Sequence, residues 1–237
     1  MGLVVGVERA MTSLQSKVGK LSLPGKDDSI RQKARGFSLL EMVIVIAIGM
    51  ILTGITFISL KPLLNQSHVN AAYDTTLMAM RTYRSRAITE RRRYIVAFAA
   101  PGTITISSWG VGSPIAPAPV LVSTLTLPSD IQFMVQAGIP STAPTVPDGF
   151  GVGAIPVDFG QGLGVGSLNY VMFMPDGTSQ DQSNPGGGNG NPNSGVIYLG
   201  KPNELLSMRA ITVFGTTGRV RGWRLLNQGG GPQWSQQ

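Results

Sequence analysis

The sequence predicts an α+β fold in which a long N-terminal helix, membrane-spanning in its first half, packs on an antiparallel β-sheet domain. An almost uncharged apolar run begins at Phe37 and gives way to a stripe of apolar residues at helical spacing. After residue 93 the pattern changes to short strand-like segments that Gly- and Pro-rich connections separate. The predicted parts are a span at 37–61, an amphipathic continuation at 62–93 and a β-rich domain at 94–237.

The apolar run extends from Phe37 to Leu60 and contains one charged residue, Glu41. A helix of this length measures about 36 Å, enough to cross a hydrocarbon core of about 30 Å. Helices in soluble cores rarely run so far without a polar stripe. A cleaved secretory signal peptide is the competing interpretation, but the run is long for one and lacks a small-residue cleavage site at its far end. The segment therefore predicts a retained membrane anchor.

Basic residues are concentrated before this span. The chain carries 19 Lys and Arg against 12 Asp and Glu, a net charge of +7, and residues 1–36 hold seven of the basic and three of the acidic residues. Arg31, Lys33 and Arg35 precede the span, whereas Lys61 alone follows it within twenty residues. The positive-inside rule then places the N-terminus in the cytoplasm and the C-terminal domain across the membrane. The remaining charge is too small to predict nucleic-acid binding by itself.

The composition argues against catalysis. The chain has no cysteine and one histidine, His68, which excludes disulfides and thiol chemistry and argues against a His-based metal site or a Ser-His-Asp triad. Gly195–Lys201 is similar to a phosphate-binding loop, but Pro202 replaces the hydroxyl residue that would hold magnesium. Asp158 and Asp176 lie in predicted turns without an identifiable partner. The sequence therefore predicts a protein that is not an enzyme and that has no cofactor and no metal.

The residues around Glu41 resemble a known processing site. Lys33-Ala34-Arg35-Gly36-Phe37-Ser38-Leu39-Leu40-Glu41 is similar to the class III leader junction of type IV prepilins and type II secretion pseudopilins. The resemblance implies a pilin-like fold and removal of the leader, residues 1–36, by a prepilin peptidase that cuts after Gly36. It also implies N-methylation of Phe37 and a role in filament assembly for Glu41, the fifth mature residue.

Two features depart from that family's pattern. The 36-residue leader is long, and Met11 offers an alternative start that shortens it. The proline that kinks the span in many pilins appears here as Pro62, after the span, so no kink at mid-span is expected. The alternative interpretation of Glu41 is an acid that reaches the cytoplasmic headgroups without further function.

Strand signals fill the second half of the chain. Predicted strands lie at 94–99, 103–109, 120–127, 131–136, 168–174, 196–199, 209–214 and 220–225. The first two form a predicted hairpin across Pro101-Gly102, and the last two form one across Gly215–Gly218. Irregular connections are predicted at 110–119, 138–166 and 183–195 because Gly, Pro and Ala dominate their composition.

Three short motifs in this domain resemble the GspH/FimT-type minor pseudopilins. They are Arg84-Ser85-Arg86-Ala87-Ile88, Phe173-Met174-Pro175-Asp176-Gly177-Thr178, and Arg209–Val213 followed by Gly218–Arg221. The resemblance implies a minor pseudopilin of a type II secretion system or type IV pilus, held in the bacterial inner membrane, with a periplasmic domain. The implied partners are the prepilin peptidase, other major and minor pseudopilins or pilins, and inner-membrane lipid.

Two basic segments leave a second function open. Arg219 and Arg221 project from one face of a strand, with Arg224 nearby. Gly218-Arg219-Val220-Arg221 is similar to a motif that contacts DNA in DNA-uptake members of the FimT group, which implies DNA as a partner in natural transformation. Secretion pseudopilins of this family also end in a turn and a basic strand, so assembly is the favoured interpretation. Arginines also crowd the helix end at 81–93, where a solvated helix face is favoured over a patch that binds an anion or an acidic partner.

Overall fold

A computed structural model describes residues 36–109, 118–151, 153–161, 167–181 and 190–237. The predicted leader, apart from Gly36, lies outside the described residues, and so does the alternative start at Met11. Much of the predicted irregular connections also lies outside them. The chain divides into two compact units, Met1–Ile51 and Leu52–Gln237.

The single long helix, α1, runs from Leu39 to Glu90. Its apolar window Leu39–Thr56 has no buried residue, and it makes α1 the one helix among the described residues that is long and apolar enough to cross a membrane. The helix continues through Pro62, so the predicted continuation at 62–93 belongs to the same helix as the span. It ends three residues before the predicted boundary because Arg91 adopts a positive φ of 51° and the chain turns into a strand.

Within the second unit, α1 buries one apolar stripe. The buried members of the stripe follow the predicted three- and four-residue spacing: Val69, Ala72, Tyr73, Leu77, Met80 and Ala87. Full burial of one large apolar side chain stabilises a fold by about 1.5–3 kcal/mol, so this stripe fixes α1 on the β domain. Arg84 interrupts the stripe, as predicted, and is half-buried.

Eleven strands are described, all of them paired antiparallel. They are β1 (Arg93–Ala99), β2 (Thr103–Trp109), β3 (Val120–Thr126), β4 (Gln132–Phe133), β5 (Val157–Gln161), β6 (Tyr170–Phe173), β7 (Ser179–Gln180), β8 (Ser194–Gly200), β9 (Arg209–Phe214), β10 (Arg219–Gln228) and β11 (Gly231–Gln236). They form two sheets. One has the order β3-β2-β1-β6-β7; the other has the order β11-β10-β9-β8-β4, with β5 also paired to β8.

The main core joins α1 to both sheets. Its largest buried side chains include Tyr94 and Phe173 from the first sheet and Phe159 and Leu199 from strands of the second. A second cluster covers the opposite face of the second sheet, where Tyr198 contacts Trp234 with ring centroids 5.7 Å apart. The connection between β4 and β5 contributes to this cluster and contains a 3₁₀ turn at Pro147–Gly149. Asp148 in this turn forms an ion pair with Arg221 of β10.

Both predicted hairpins are confirmed. In β1–β2, Ala99 pairs with Thr103 across the Pro101-Gly102 turn, and in β9–β10, Phe214 pairs with Arg219. The predicted strand at 131–136 is reduced to the two residues of β4. Strands β5, β7 and β11 were not predicted.

The missed strands have compositions that hide them. Strand β5 contains Gly160 at a positive φ of 88° and a bulge, and it lies in a Gly-rich region. Strand β11 contains Gly, Pro and Gln, which strands disfavour. The prediction of a turn at Asp158 was wrong, because this residue lies in β5, where its carboxylate accepts a hydrogen bond from Gln161 Nε2 at 2.6 Å.

Candidate functional site

The predicted cleavage junction lies immediately before α1. Gly36 and Phe37 are exposed and outside regular structure, and the first residue of the helix is Leu39. The Ser38 carbonyl accepts a hydrogen bond from the Met42 amide at 3.1 Å. A peptidase needs an accessible, non-helical peptide bond, and the bond between Gly36 and Phe37 meets both conditions.

Glu41 lies in the first turn of α1 and is exposed. Free amides at a helix N-terminus favour a negative charge, so this position suits a carboxylate. Around it, the described apolar side chains of the span are also exposed, including Leu40, Ile44 and Ile48. The chain by itself therefore leaves both the acid and the surrounding apolar surface available to lipid or to other helices.

The three motifs that carry the GspH/FimT resemblance meet at one side chain. Arg84 of α1 donates from Nε to the Gly177 carbonyl at 3.1 Å and from Nη2 to the Thr217 carbonyl at 2.9 Å. Gly177 belongs to the turn after β6, and Thr217 belongs to the turn between β9 and β10. One guanidinium thus ties the helix to a turn of each sheet, which explains why a charged residue interrupts the apolar stripe.

Gly218 is a steric requirement of this junction. Its φ is +59°, and a Cβ at this position would lie 2.0 Å from the Gly177 carbonyl oxygen and 2.8 Å from Arg84 Nε. The positive φ favours glycine, and the short distances exclude any residue with a Cβ unless the two turns separate. The glycine of the Gly-Arg-x-Arg pattern therefore has a structural explanation that is independent of DNA.

Arg221 is engaged inside the protein. Its Nη1 lies 2.5 Å from Asp148 Oδ1, and the side chain of Asp148 is 5% exposed. Asp148 Oδ2 also accepts a hydrogen bond from Thr212 Oγ1 at 2.5 Å, and Thr212 Oγ1 in turn accepts one from Trp223 Nε1 at 3.1 Å. The ion pair neutralises Arg221. The sequence did not reveal Asp148, because a Pro-Asp-Gly turn carries no signal of a partner 73 residues away.

Arg219 and Arg221 share one face of β10, as predicted from the alternation of strands. Their guanidinium carbons lie 4.7 Å and 5.4 Å from the centroid of the Phe214 ring. Arg219 is exposed. Arg224 is separated from this pair, because it lies on the opposite face of β10, beside Arg209 and the helix residue Val69.

A cleft of about 420 Å³ lies between α1 and the β9–β10 turn and is lined by Arg81, Arg84, Thr217, Arg219 and Val220. Arg84 is committed to its two carbonyl partners, whereas Arg81 and Arg219 are exposed. The cleft can therefore offer two solvent-facing guanidinium groups to an anion.

The basic cluster at the helix end has several internal contacts. Arg86 Nε donates to Glu90 Oε1 at 2.7 Å, and the Arg86 guanidinium lies over the rings of Tyr83 and Tyr94. Tyr94 also donates its hydroxyl to Glu90, and this bond, followed by that from Arg86, lowers the pKa of Glu90. Arg93 is buried in β1. Arg86 and Glu90 thus make contacts within α1 and with Tyr94 of β1, whereas Arg81, Arg91 and Arg92 are exposed.

The other residues that the sequence singled out as candidates for a functional site make contacts within the protein. Gly195–Lys201 lies mostly in β8, and a Cβ at Gly195 would lie 2.2 Å from the Asp158 carbonyl oxygen, so this glycine permits strand pairing. His68 Nδ1 lies 3.0 Å from Asp130 Oδ1, a partner that the sequence did not reveal. Asp176 accepts hydrogen bonds from the amide and the hydroxyl of Thr178 in its turn.

Comparison with known proteins bears on the N-terminal segment. Residues 31–57 match the family model of the prokaryotic N-terminal methylation motif. The match supports a type IV pilin-like protein. No curated protein and no solved structure matches the chain. The motif implies processing by a prepilin peptidase and assembly with other pilins, and together with the apolar half of α1 it supports anchoring by a single membrane span.

Proposed function

We propose that this pilin-like protein is a minor pseudopilin of a type II secretion system or a type IV pilus, and that it assembles through α1 into a periplasmic filament. The observation that carries the proposal is the methylation motif at residues 31–57, which leads directly into an uncovered apolar helix. In this account the N-terminus is cytoplasmic, the β domain is periplasmic, and the protein acts in secretion by assembly rather than by catalysis.

The proposed mechanism rests on the new N-terminus that cleavage after Gly36 creates. The amine of Phe37 on one subunit pairs with Glu41 of a neighbour inside a bundle of apolar helices. An unpaired charge in such surroundings is expensive, whereas a paired one fixes the register between neighbours at a cost in desolvation. The exposed apolar side chains of α1 supply the remaining contact surface.

Filaments sheared from cells test this proposal directly. We expect the mature chain to be recovered with the major subunit of the filament, at a low ratio that fits a minor component. A chain that is processed and present in the membrane at normal levels, yet absent from every filament fraction, would contradict the proposal.

DNA binding in natural transformation is the second candidate, and the exposed Arg219 beside Arg81 is the observation that favours it. Three features weaken it. Arg221 is paired with Asp148, Gly218 has a steric role, and Arg224 lies on the other face of β10. Any DNA contact would therefore depend on Arg219 and Arg81, and it would be to phosphates, because two separate arginines offer little recognition of base edges.

A gel-shift titration of the purified full-length chain with duplex DNA separates the two candidates. We expect no shift even at low salt. If DNA does bind, Arg219→Gln should lower the slope of log affinity against log salt by about 0.9, the loss of one phosphate contact. Arg92→Gln, which removes an exposed arginine that does not line the cleft, is the matched control. Salt-dependent DNA binding that is weakened by Arg219→Gln and not by Arg92→Gln would contradict a role in assembly alone and would support the second candidate, DNA uptake.

A further inference from the structure

Two arginines face each other on the α1 side of the second sheet. Arg209 in β9 and Arg224 in β10 are direct partners in the antiparallel register, so both side chains lie on the same face. Like charges directly opposite each other destabilise a sheet. Together they line a cavity of about 360 Å³ against α1 at Gln66 and Val69.

Arg209 is buried deeply enough for its charge to matter, and Arg224 beside it is half-buried. Arg209 is 3% exposed; its Nη1 donates to the carbonyls of Leu206, Ser207 and Met208, and its Nη2 donates to Asn70 Oδ1 at 3.2 Å. Burial first, and then the neighbouring Arg224, lower the pKa of Arg209 to about 10. Arg209 is therefore still charged at neutral pH, and the protein offers it carbonyl and amide oxygens in place of a carboxylate.

The hydrogen-bond donors of Arg224 are less completely paired than those of Arg209. Its Nε is buried and has no hydrogen-bond partner among the described residues. The one acid among the described residues that line the cavity is Glu204, whose Oε1 pairs with Lys201 Nζ at 2.9 Å. A buried guanidinium donor without an acceptor costs free energy, and so does the like-charge pair. An anion in the cavity would relieve both costs.

The position of the cavity along α1 favours one source for that anion. Gln66 lies six residues beyond Leu60, where the apolar run ends, which corresponds to about 9 Å along a helix. When the helix is tilted by about 20–40°, as membrane spans commonly are, this rise is about 7–8.5 Å above the hydrocarbon core, which reaches the outer edge of a headgroup layer about 5–8 Å thick. Leu206 at the cavity is 51% exposed, so an apolar side chain stands beside the charged pocket.

We propose that Arg209 and Arg224 form a binding site for a phosphate group, and that in the membrane-inserted subunit a phospholipid headgroup of the outer leaflet supplies it. The site binds two of the phosphate oxygens through the paired guanidinium groups, while Leu206 lies against the lipid. This inference rests on the proposed membrane anchoring but not on filament assembly or on the choice between secretion and DNA uptake.

Native mass spectrometry of the full-length chain in detergent, with added phosphatidylglycerol or diacylglycerol of the same acyl chains, tests the proposal. We expect the wild type to retain phosphatidylglycerol and not diacylglycerol. Arg224→Gln should lower this retention about tenfold, the loss expected for one charge-assisted hydrogen bond. Arg92→Gln removes the same charge from an exposed position that lines neither this cavity nor the cleft beside Arg219, and it should retain lipid as the wild type does.

Two further arms keep the outcomes distinct. Leu206→Glu places a negative charge at an exposed position beside the cavity, where it should reduce lipid retention without disturbing the fold. Stabilisation of the wild type by inorganic phosphate, without retention of phosphatidylglycerol, would support the phosphate site and overturn the lipid source. Equal retention by the wild type, Arg224→Gln and Leu206→Glu, all folded by circular dichroism, would overturn the site itself. Failure of the chain to insert into membranes would contradict the anchor and, with it, the lipid source of the phosphate.

Discussion

Gly218→Ala is expected to destabilise the β domain by about 3 kcal/mol. A left-handed backbone costs a residue with a Cβ about 1–2 kcal/mol, and forced overpacking adds about 1–3 kcal/mol. Here the obstacle is the backbone oxygen of Gly177, which lies 2.0 Å from the position that the alanine methyl would occupy, so a change of rotamer cannot relieve the clash. The two turns must separate, and both Arg84 hydrogen bonds to them are then strained.

Thermal unfolding of the purified chain, followed by circular dichroism, measures this effect. For a unit of this size, 3 kcal/mol corresponds to a fall in Tm of roughly 6–12 °C. Gly229→Ala is the matched control, because a Cβ there meets nothing within 4 Å. Gly218→Asn separates the two causes, since asparagine tolerates a left-handed backbone but still carries a Cβ. A Gly218→Ala protein within about 0.5 kcal/mol of the wild type, the range of an ordinary surface substitution, would show that the turns do not meet as described.

Glu41→Val is expected to remain in the membrane and to be lost from filaments. The substitution replaces the one charged residue of the span with an apolar one, which favours insertion. In the filament, however, it leaves a neighbour's N-terminal amine without a partner among apolar helices. Breaking such a buried pair costs about 3–5 kcal/mol, at least a hundredfold in affinity for each contact between subunits.

The measurement is the ratio of the variant in sheared filaments to that in the membrane, each relative to the wild type. Met42→Val is the matched control, because it changes the neighbouring exposed side chain of the same helical turn without altering charge. Glu41→Asp keeps the charge on a shorter side chain and should recover part of the incorporation. Wild-type incorporation of Glu41→Val would show that the acid has no part in assembly.

The features that the sequence predicted correctly are local ones. The helix follows from the spacing of residues such as Val69, Tyr73 and Leu77, and each hairpin follows from two strand-like runs around a Gly-containing turn. Both kinds of signal lie within one window of the chain, so folding of the remainder does not alter them. The leader junction is also a contiguous motif, and the family model of the methylation motif matches it at residues 31–57, whereas cleavage after Gly36 stays a prediction.

The contacts of the basic strand could not be predicted in this way. Arg84 reaches carbonyls that are 93 and 133 residues away, and Asp148 lies 73 residues before Arg221. Such pairs depend on how the two sheets and the β4–β5 connection pack, for which spacing along the chain carries no signal. The sequence therefore predicted which face Arg219 and Arg221 share, but not that only Arg219 remains exposed.

Intact-mass analysis of the chain extracted from membranes tests the central claim most directly. Cleavage after Gly36 and methylation of the new terminus predict the mass of residues 37–237 plus one methyl group, with Phe37 as the first residue in the N-terminal peptide. A chain that retains residues 1–36, or one that begins beyond Leu60 because the whole span has been removed as a signal peptide, would contradict the assignment as a pilin-like filament subunit.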